Sequence, residues 1–479
     1  MKRILVLFVL VAVCSFDAAW ATGPIPQEEL ERHGLERAWF TQITAHGALA
    51  TVEHVALDGE LLLVQTRNGV LDAIEADSGR IRWSQRLGEP LHPSLAPSGN
   101  SNFVATINGR TAYVMNRFTG DVLWSRKFDG VPGAGPVLGE SQLFIPMTNG
   151  SVLAFPVSAE EKREDDPLAP IIELVEEKEL TETEKVEIER KRQNRLAIAK
   201  GFGEHLVCQS FGRIHVQPVS TTKGEGRELV AWQTDRGSVY LGRLRLGELK
   251  RFLIVAQIAV RSEVAARMSW VPNVLGEDGL ILFGTADGVV WAVSDRTGES
   301  VWHFPTNQPI SEQVVAVGDA VFAPTDLGGM VCLEVSTGKQ RWWTSGLAQF
   351  VAASKDRVYA VDLTRRVVVL DISTGRRISA FDASRFDKAV NPHTDRIFLT
   401  TSGGMVQCIH EIGLTEPLRH VQRPEEKPSE EMPPPGEEQP AETPDSPSVP
   451  EANPFQTQPP AEEPNPFSSS SDYDPFAEM

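Results

Sequence analysis

The chain has 479 residues, 41% of them hydrophobic, and a formal net charge of −19. Its length allows one large repeat domain or two to three ordinary ones, and its acidic balance argues against nucleic acid, whose phosphates need a basic face. Most of the charge sits at the end: Pro424 to Met479 holds 14 acidic residues and one basic one, which leaves the bulk of the chain near neutral.

At the start, Lys2 and Arg3 precede an unbroken apolar run from Ile4 to Val13, and Ala19-Trp20-Ala21 places small residues at both positions of an A-x-A cleavage site. This is the anatomy of an export signal spanning 1–21, with the mature chain beginning at Thr22. The run is too short to span a bilayer, and no later stretch is long enough. A lipid on Cys14 is the rival reading, although the bulky Val13 stands where a small residue is usual. Once Cys14 leaves with the signal, Cys208, Cys332 and Cys408 remain, each in an apolar, strand-like stretch. They read as buried free thiols, with one disulfide in an oxidising compartment as the alternative. No spacing suggests a metal site.

From residue 61 the sequence repeats. Leu61 to Thr66 is an apolar β-type run, and Arg67-Asn68-Gly69 is a hairpin turn whose Asn and Gly tolerate positive φ. Val70 to Ala76 is a second strand, Asp77-Ser78-Gly79 a second turn, and Ile81-Arg82-Trp83 a third strand. The same order of turn glycine, alternating run, Ser/Thr-Gly pair and Trp four residues later returns in 109–124, 288–302 and 329–342. A fifth copy, 366–381, departs at Arg366, which replaces the glycine, and at Ser379, which replaces the Trp.

Trp83 to Trp124 is 41 residues and Trp302 to Trp342 is 40, the period of a propeller blade at roughly 40–45 residues. Trp124 to Trp302 is 178 residues, three periods once an insertion of about 45 residues is set aside. Two blades in that interval therefore lack the Trp, and 142–157 and 229–244 are their remnants. A last partial copy, 396–409, has inner strands and no outer one, while Leu35 to Ile43 reads as an orphan outer strand whose Trp39 lies 44 residues before Trp83. It is expected to complete the last blade and close the ring. A lone four-stranded sheet cannot bury both faces, and radial stacking does so. The expectation is an all-β, eight-bladed β-propeller spanning 22–423. Trp39, Trp83, Trp124, Trp302 and Trp342 recur once per blade and are expected in the core between blades. Trp343 points to the other side of its strand, with core or rim packing ahead of an exposed contact.

Residues 159–200 interrupt the third blade. Thr181 with Glu184 forms a capping box and Glu187 with Lys191 an i,i+4 pair, which together predict a charged helix. Its apolar positions make no continuous stripe, so it reads as a solvated helix, with a partner-docking arm as the alternative. Residues 424–479, dominated by Pro, Glu and Ser, cannot bury enough apolar area to fold and are expected to be disordered. They carry Asn453-Pro454-Phe455, Asn465-Pro466-Phe467 and Asp474-Pro475-Phe476. Each triplet can form an Asx-Pro turn that holds one Phe outward, a candidate multivalent motif for a partner in the cell envelope. A solubilising tail with incidental Phe residues is the alternative.

The pattern A-x-[DN]-x-x-[ST]-G-x-x-x-W resembles the repeats of propellers of the pyrroloquinoline-quinone (PQQ) type. That group holds the quinoprotein alcohol dehydrogenases and the outer-membrane assembly factor BamB, and the resemblance covers most of 35–415. It implies that the Trp at 83, 124, 302 and 342 docks between neighbouring blades. A quinoprotein dehydrogenase needs Ca²⁺ held by carboxylate and amide oxygens beside the quinone and an Asp base. The alcohol dehydrogenases add a ring of adjacent cysteines. The chain has no adjacent Cys pair and no segment that matches those catalytic or calcium sites, and Asp77, Asp287 and Asp295 are explained by turn chemistry. The expectation is therefore no enzyme, with no catalytic, cofactor or metal residue. The smaller BamB-like members imply a monomeric interaction scaffold in the periplasm or at the periplasmic face of the outer membrane. Its partners would be envelope proteins, the β-barrel assembly machinery among them. A propeller that binds PQQ or another small ligand, as an enzyme or a sensor, is the first alternative. An envelope propeller with unrelated partners is the second.

Overall fold

The computed structural model describes residues 23–43, 50–157, 205–221, 228–245, 251–276 and 278–420. The export signal, the expected inserted helix and the tail with its Asx-Pro-Phe motifs lie outside the described residues. What is described is an eight-bladed β-propeller of eight four-stranded antiparallel sheets.

Blade 1 shows why this sequence folds this way. Its strands β2 (Val52–Asp58), β3 (Leu61–Thr66), β4 (Val70–Glu75) and β5 (Ile81–Arg86) pair in chain order. They follow β1 (Leu35–Gln42), which belongs elsewhere. Every residue of β3 is buried. Leu62 and Val64 enter the cluster shared with the last blade, while Leu61 and Leu63 enter the cluster shared with blade 2. A sheet covered on both sides has no polar face to show, so β3 reads as a continuous apolar run rather than an alternating one. Each such Leu or Val contributes roughly 1.5–3 kcal/mol by leaving water. At the β3–β4 hairpin, Gly69 has φ +82° and an added Cβ would lie 2.5 Å from the Leu87 carbonyl oxygen, so both conformation and space require glycine.

The ring is closed by its own ends. Strand β1 pairs antiparallel with Met405–Glu411, from Leu35 opposite Glu411 to Gln42 opposite Met405, and becomes the outermost strand of blade 8. A short helix, α1 (Gln27–Glu31), precedes it. Ile25, Leu30 and Leu35 are buried in one cluster with Phe381, Phe386 and Ile397 of blades 7 and 8.

Antiparallel order gives the disc two unlike faces. Hairpins between second and third strands share one face with the blade-to-blade connections; it is called here the connection face. The opposite face carries the other hairpins. Residues 158–204 leave blade 3 between its third strand, Ser151–Pro156, and its fourth, Leu206–Gln209, and so depart from the opposite face. Among the described residues no helix is long and apolar enough to cross a membrane.

Candidate interaction face and central channel

The repeat tryptophans stand between blades. Trp83, Trp124, Trp302 and Trp342 are buried, and Trp39 is partly so. Trp83 Nε1 donates to the Arg117 carbonyl oxygen at 2.8 Å, Trp302 to Val335 at 2.9 Å, Trp342 to Ile372 at 2.8 Å and Trp39 to Ala76 at 2.9 Å. Each acceptor opens the Ser/Thr-Gly turn of the following blade, and each indole lies flat over that turn's glycine: Gly120, Gly338, Gly375 and Gly79 in the same order. Gly120 has φ +74°, and a Cβ there would come within 2.6 Å of the Trp83 ring. The glycine and the Trp of the repeat are thus two halves of a contact between neighbours.

The contact lapses in four places. Trp124 Nε1 finds no acceptor among the described residues; the stretch between Val157 and His205, where the corresponding turn would stand, lies outside them. At Gly298 of blade 5 the covering atom is the Ala256 methyl of blade 4. Ser379 of blade 7 leaves Gly413 uncovered. Blade 3 has no Trp on its fourth strand, Leu206–Gln209. Trp343, beside Trp342, is 49% exposed on the outer rim and shields Gly329.

With the tryptophans committed to packing, the exposed chemistry lies on the faces and in the channel. Leu91, Phe211, Leu327 and Leu363 are the most exposed large apolar residues described, at 85%, 72%, 71% and 62%. All four lie on the connection face: two in blade-to-blade connections and two at hairpin tips. Phe211 is also held under the Arg236 guanidinium, 5.5 Å from its ring centroid. The opposite face presents Phe118 and the segment after Glu411, with Ile412, Leu414 and Leu418, all less exposed.

The inner strands enclose a cavity of about 850 Å³ along the axis. Its charged side chains are few and mostly engaged. Asp58, at the end of β2, takes a 2.8 Å ion pair from the buried Arg117, which also donates to the Asp58 carbonyl. Lys388 donates to the Arg365 carbonyl at 2.8 Å, and burial, helped by the nearby Arg365 charge, pushes its pKa down to about 8. His420 sits on the Ala353 carbonyl at 2.7 Å, and its backbone N–H reaches the His393 carbonyl. Burial holds both imidazoles below the ordinary histidine range. Arg267 also lines the cavity, and it makes no hydrogen bond or ion pair with any described residue. Sequence reasoning missed this group, because Arg267 and His393 lie in connections away from the turn glycines and the Trp that mark the repeat.

Comparison with known proteins agrees with the fold. A family model described as outer membrane protein assembly factor BamB matches residues 28–168 and 286–406, more than half of the chain. BamB of Burkholderia pseudomallei (strain K96243) is 24% identical over 153 residues, which is 32% of this chain and 39% of that relative's length. The crystal structure of BamB from Moraxella catarrhalis superposes with a TM-score of 0.53 at 11% identity, covering 78% of this chain and 97% of that one. Sqt1 of Saccharomyces cerevisiae gives the same score and identity, and the designed protein Ika8 a TM-score of 0.53 at 13%, so structural likeness speaks for the propeller alone. The extent of the family match settles membership: the chain belongs to the PQQ-repeat family described as outer membrane protein assembly factor BamB.

Proposed function

We propose that the chain is an exported, non-enzymatic interaction scaffold of the cell envelope that serves in the assembly of outer-membrane proteins. Family membership supports the general role. The observation that carries it is the connection face, where four exposed apolar tips stand out from the ring, two of them, Leu327 and Leu363, on neighbouring turns. Solvated apolar anchors on a fixed frame suit contact with another protein. In this reading 1–21 is the export signal, 22–423 the propeller, and 424–479 a separate docking segment presenting Phe455, Phe467 and Phe476.

Among the described residues no three His, Cys, Asp or Glu side chains come together as metal ligands, and Asp58 in the channel is tied to Arg117. The test is a crosslinking pull-down from the protein's own envelope fraction, with the full chain and with a version ending at Arg423. Recovery of the β-barrel assembly machinery by both is the expected result; its absence from both overturns the role. Proteins recovered only with the full chain would assign the tail its own recognition function.

A further inference from the structure

We propose that the outer edge of blade 4 pairs with part of the chain's own insertion, residues 171–175, as a fifth strand. Each blade ends in an outer strand with one side unpaired among the described residues. Such an edge accepts another strand unless charge, proline or shortness blunts it. The outer strands of blades 1, 2, 6 and 7 carry Arg82, Arg126, Arg341 and Arg377, and that of blade 8 carries Glu36 and Arg37. Blade 5 ends its strand in Pro305, and the outer strand of blade 3, Leu206–Gln209, has only 4 residues. The outer strand of blade 4, Arg251–Ala259, is different. At 9 residues it is the longest of the set, and after Arg251 it holds neither charge nor proline. Leu253, Ile254 and Val255 are exposed in succession, at 46%, 38% and 40%. A bulge, here at Val255, is common to most of the outer strands and does not set this one apart.

The occupant follows from where the insertion leaves and returns. Residues 158–204 separate the third and outer strands of blade 3. That outer strand packs beside the one in blade 4: Cys208 and Phe252 share a core cluster. Both Leu206 and Arg251 open their strands on the opposite face, where the insertion departs. Within the insertion, Ile171, Ile172, Leu174 and Val175 form a short apolar run, mostly β-branched, with Glu173 inside it and Pro170 before it. Such residues favour strands, and proline is tolerated at a strand's first position. The later run Leu196-Ala197-Ile198-Ala199 is half alanine, a poor strand former. From Val157 an extended chain spans about 45 Å by Ile171, ample against the roughly 10 Å between packed sheets.

Charge gives the direction. Arg245 and Arg251 stand directly opposite each other at the opposite-face end of the blade 4 hairpin, both exposed and without an ion pair among the described residues. Like charges facing across a ladder repel. Antiparallel pairing of 171–175 along 252–256 covers Leu253, Ile254 and Val255 and brings Glu176 and Glu177 to the two arginines. The tail 424–479 offers no such run, and its many prolines cannot donate to a ladder. The proposal is independent of the scaffold reading, which rests on the connection face and the family.

Amide hydrogen exchange of the full chain is the test, read at Arg251–Ala259 with the outer strand of blade 6, Gln340–Ser345, as control. Ile172→Lys with Leu174→Lys is the variant, and its thermal melt checks folding. The outward amides of Arg251–Ala259 should exchange at least about tenfold faster in the variant, as expected for the loss of a ladder hydrogen bond, while the control strand is unchanged. Arg245→Glu with Arg251→Glu should speed exchange in the same strand, and adding Glu176→Arg with Glu177→Arg should slow it again. Equal exchange in the parent and the Lys variant would overturn the proposal. So would protection that persists in that variant and falls on dilution, which would name a second copy as the occupant. Protection kept in that variant and lost in the chain ending at Arg423 would overturn it too, and would name the tail.

Discussion

Asp72 lies in the middle of β4 with Leu71 and Ala73 on either side, 1% exposed, and neither carboxylate oxygen has a hydrogen-bond partner. Burial pushes its pKa up, with the neighbouring Ser84 opposing. A carboxyl whose folded pKa lies above its unfolded value favours the fold in acid, and that contribution is lost as pH rises through the folded pKa. Asp72→Asn removes the titration while keeping the shape. The variant is expected to be more stable than the parent at pH 7, because it has no charge to hold out of water in that buried site. The gain should shrink towards zero in acid. Urea unfolding at pH 7 and pH 4 checks both statements. The thiols are a second case at this scale. Cys208, Cys332 and Cys408 are buried and free. Burial pushes the pKa of Cys208 up to about 11 and of Cys332 to about 12, and that of Cys408 also rises. Since the thiolate is the nucleophile, none of the three should react with iodoacetamide at pH 8 until urea unfolds the ring. Mass spectrometry of alkylated peptides would show it.

Between blades, the Trp-on-glycine contact is the recurrent unit, and it comes in complete and incomplete forms. Trp83 has both its glycine and its carbonyl acceptor, whereas Trp124 is equally buried but has no described acceptor for Nε1. Replacing either by Phe removes similar apolar bulk. Trp83→Phe should therefore cost about 1 kcal/mol more than Trp124→Phe, the worth of one hydrogen bond whose partner is left behind. Parallel urea titrations of the two variants measure the difference. The sequence made half of this contact legible. Turn glycines such as Gly69 and Gly120 leave a mark because no other residue sits easily at positive φ, and a Trp on the outer strand of five of the eight blades sets a countable period. From those marks came the blade count, the site of the insertion and the closing strand through Trp39. The other half was not legible: Trp83 meets a glycine 37 positions on, in another blade, and no local pattern records that pairing. The channel cluster was hidden for a stronger reason. Arg267, His393 and His420, which line one cavity, stand in a blade-to-blade connection, in the first hairpin of blade 8 and after the last strand, and are brought to it only when the ring closes.

For the whole molecule, closure is what turns eight marginal sheets into one body, and the working face depends on it. Strand β1 supplies the eighth outer strand, and Ile25, Leu30 and Leu35 bury themselves against blades 7 and 8. Deleting 23–42 exposes the full edge of Met405–Glu411 and should abolish a single cooperative unfolding transition, seen as a broad melt and early proteolysis in blades 7 and 8. The connection face can then be probed without touching the fold, because its four apolar tips are exposed and contribute little to the core. The combined change Leu91→Ser, Phe211→Ser, Leu327→Ser and Leu363→Ser should leave the melting temperature within a few degrees of the parent. In an interface most binding energy rests on a few central anchors. At least one of these positions is therefore expected to weaken capture of the partner by about tenfold or more, a loss of about 1.4 kcal/mol. Phe118→Ser with Ile412→Ser, on the opposite face, is the matched control and should leave capture intact. The reverse pattern, with the control pair losing the partner and the four tips keeping it, would move the interaction to the face from which the insertion departs. The segment 158–204 would then become the natural place to look for the contact.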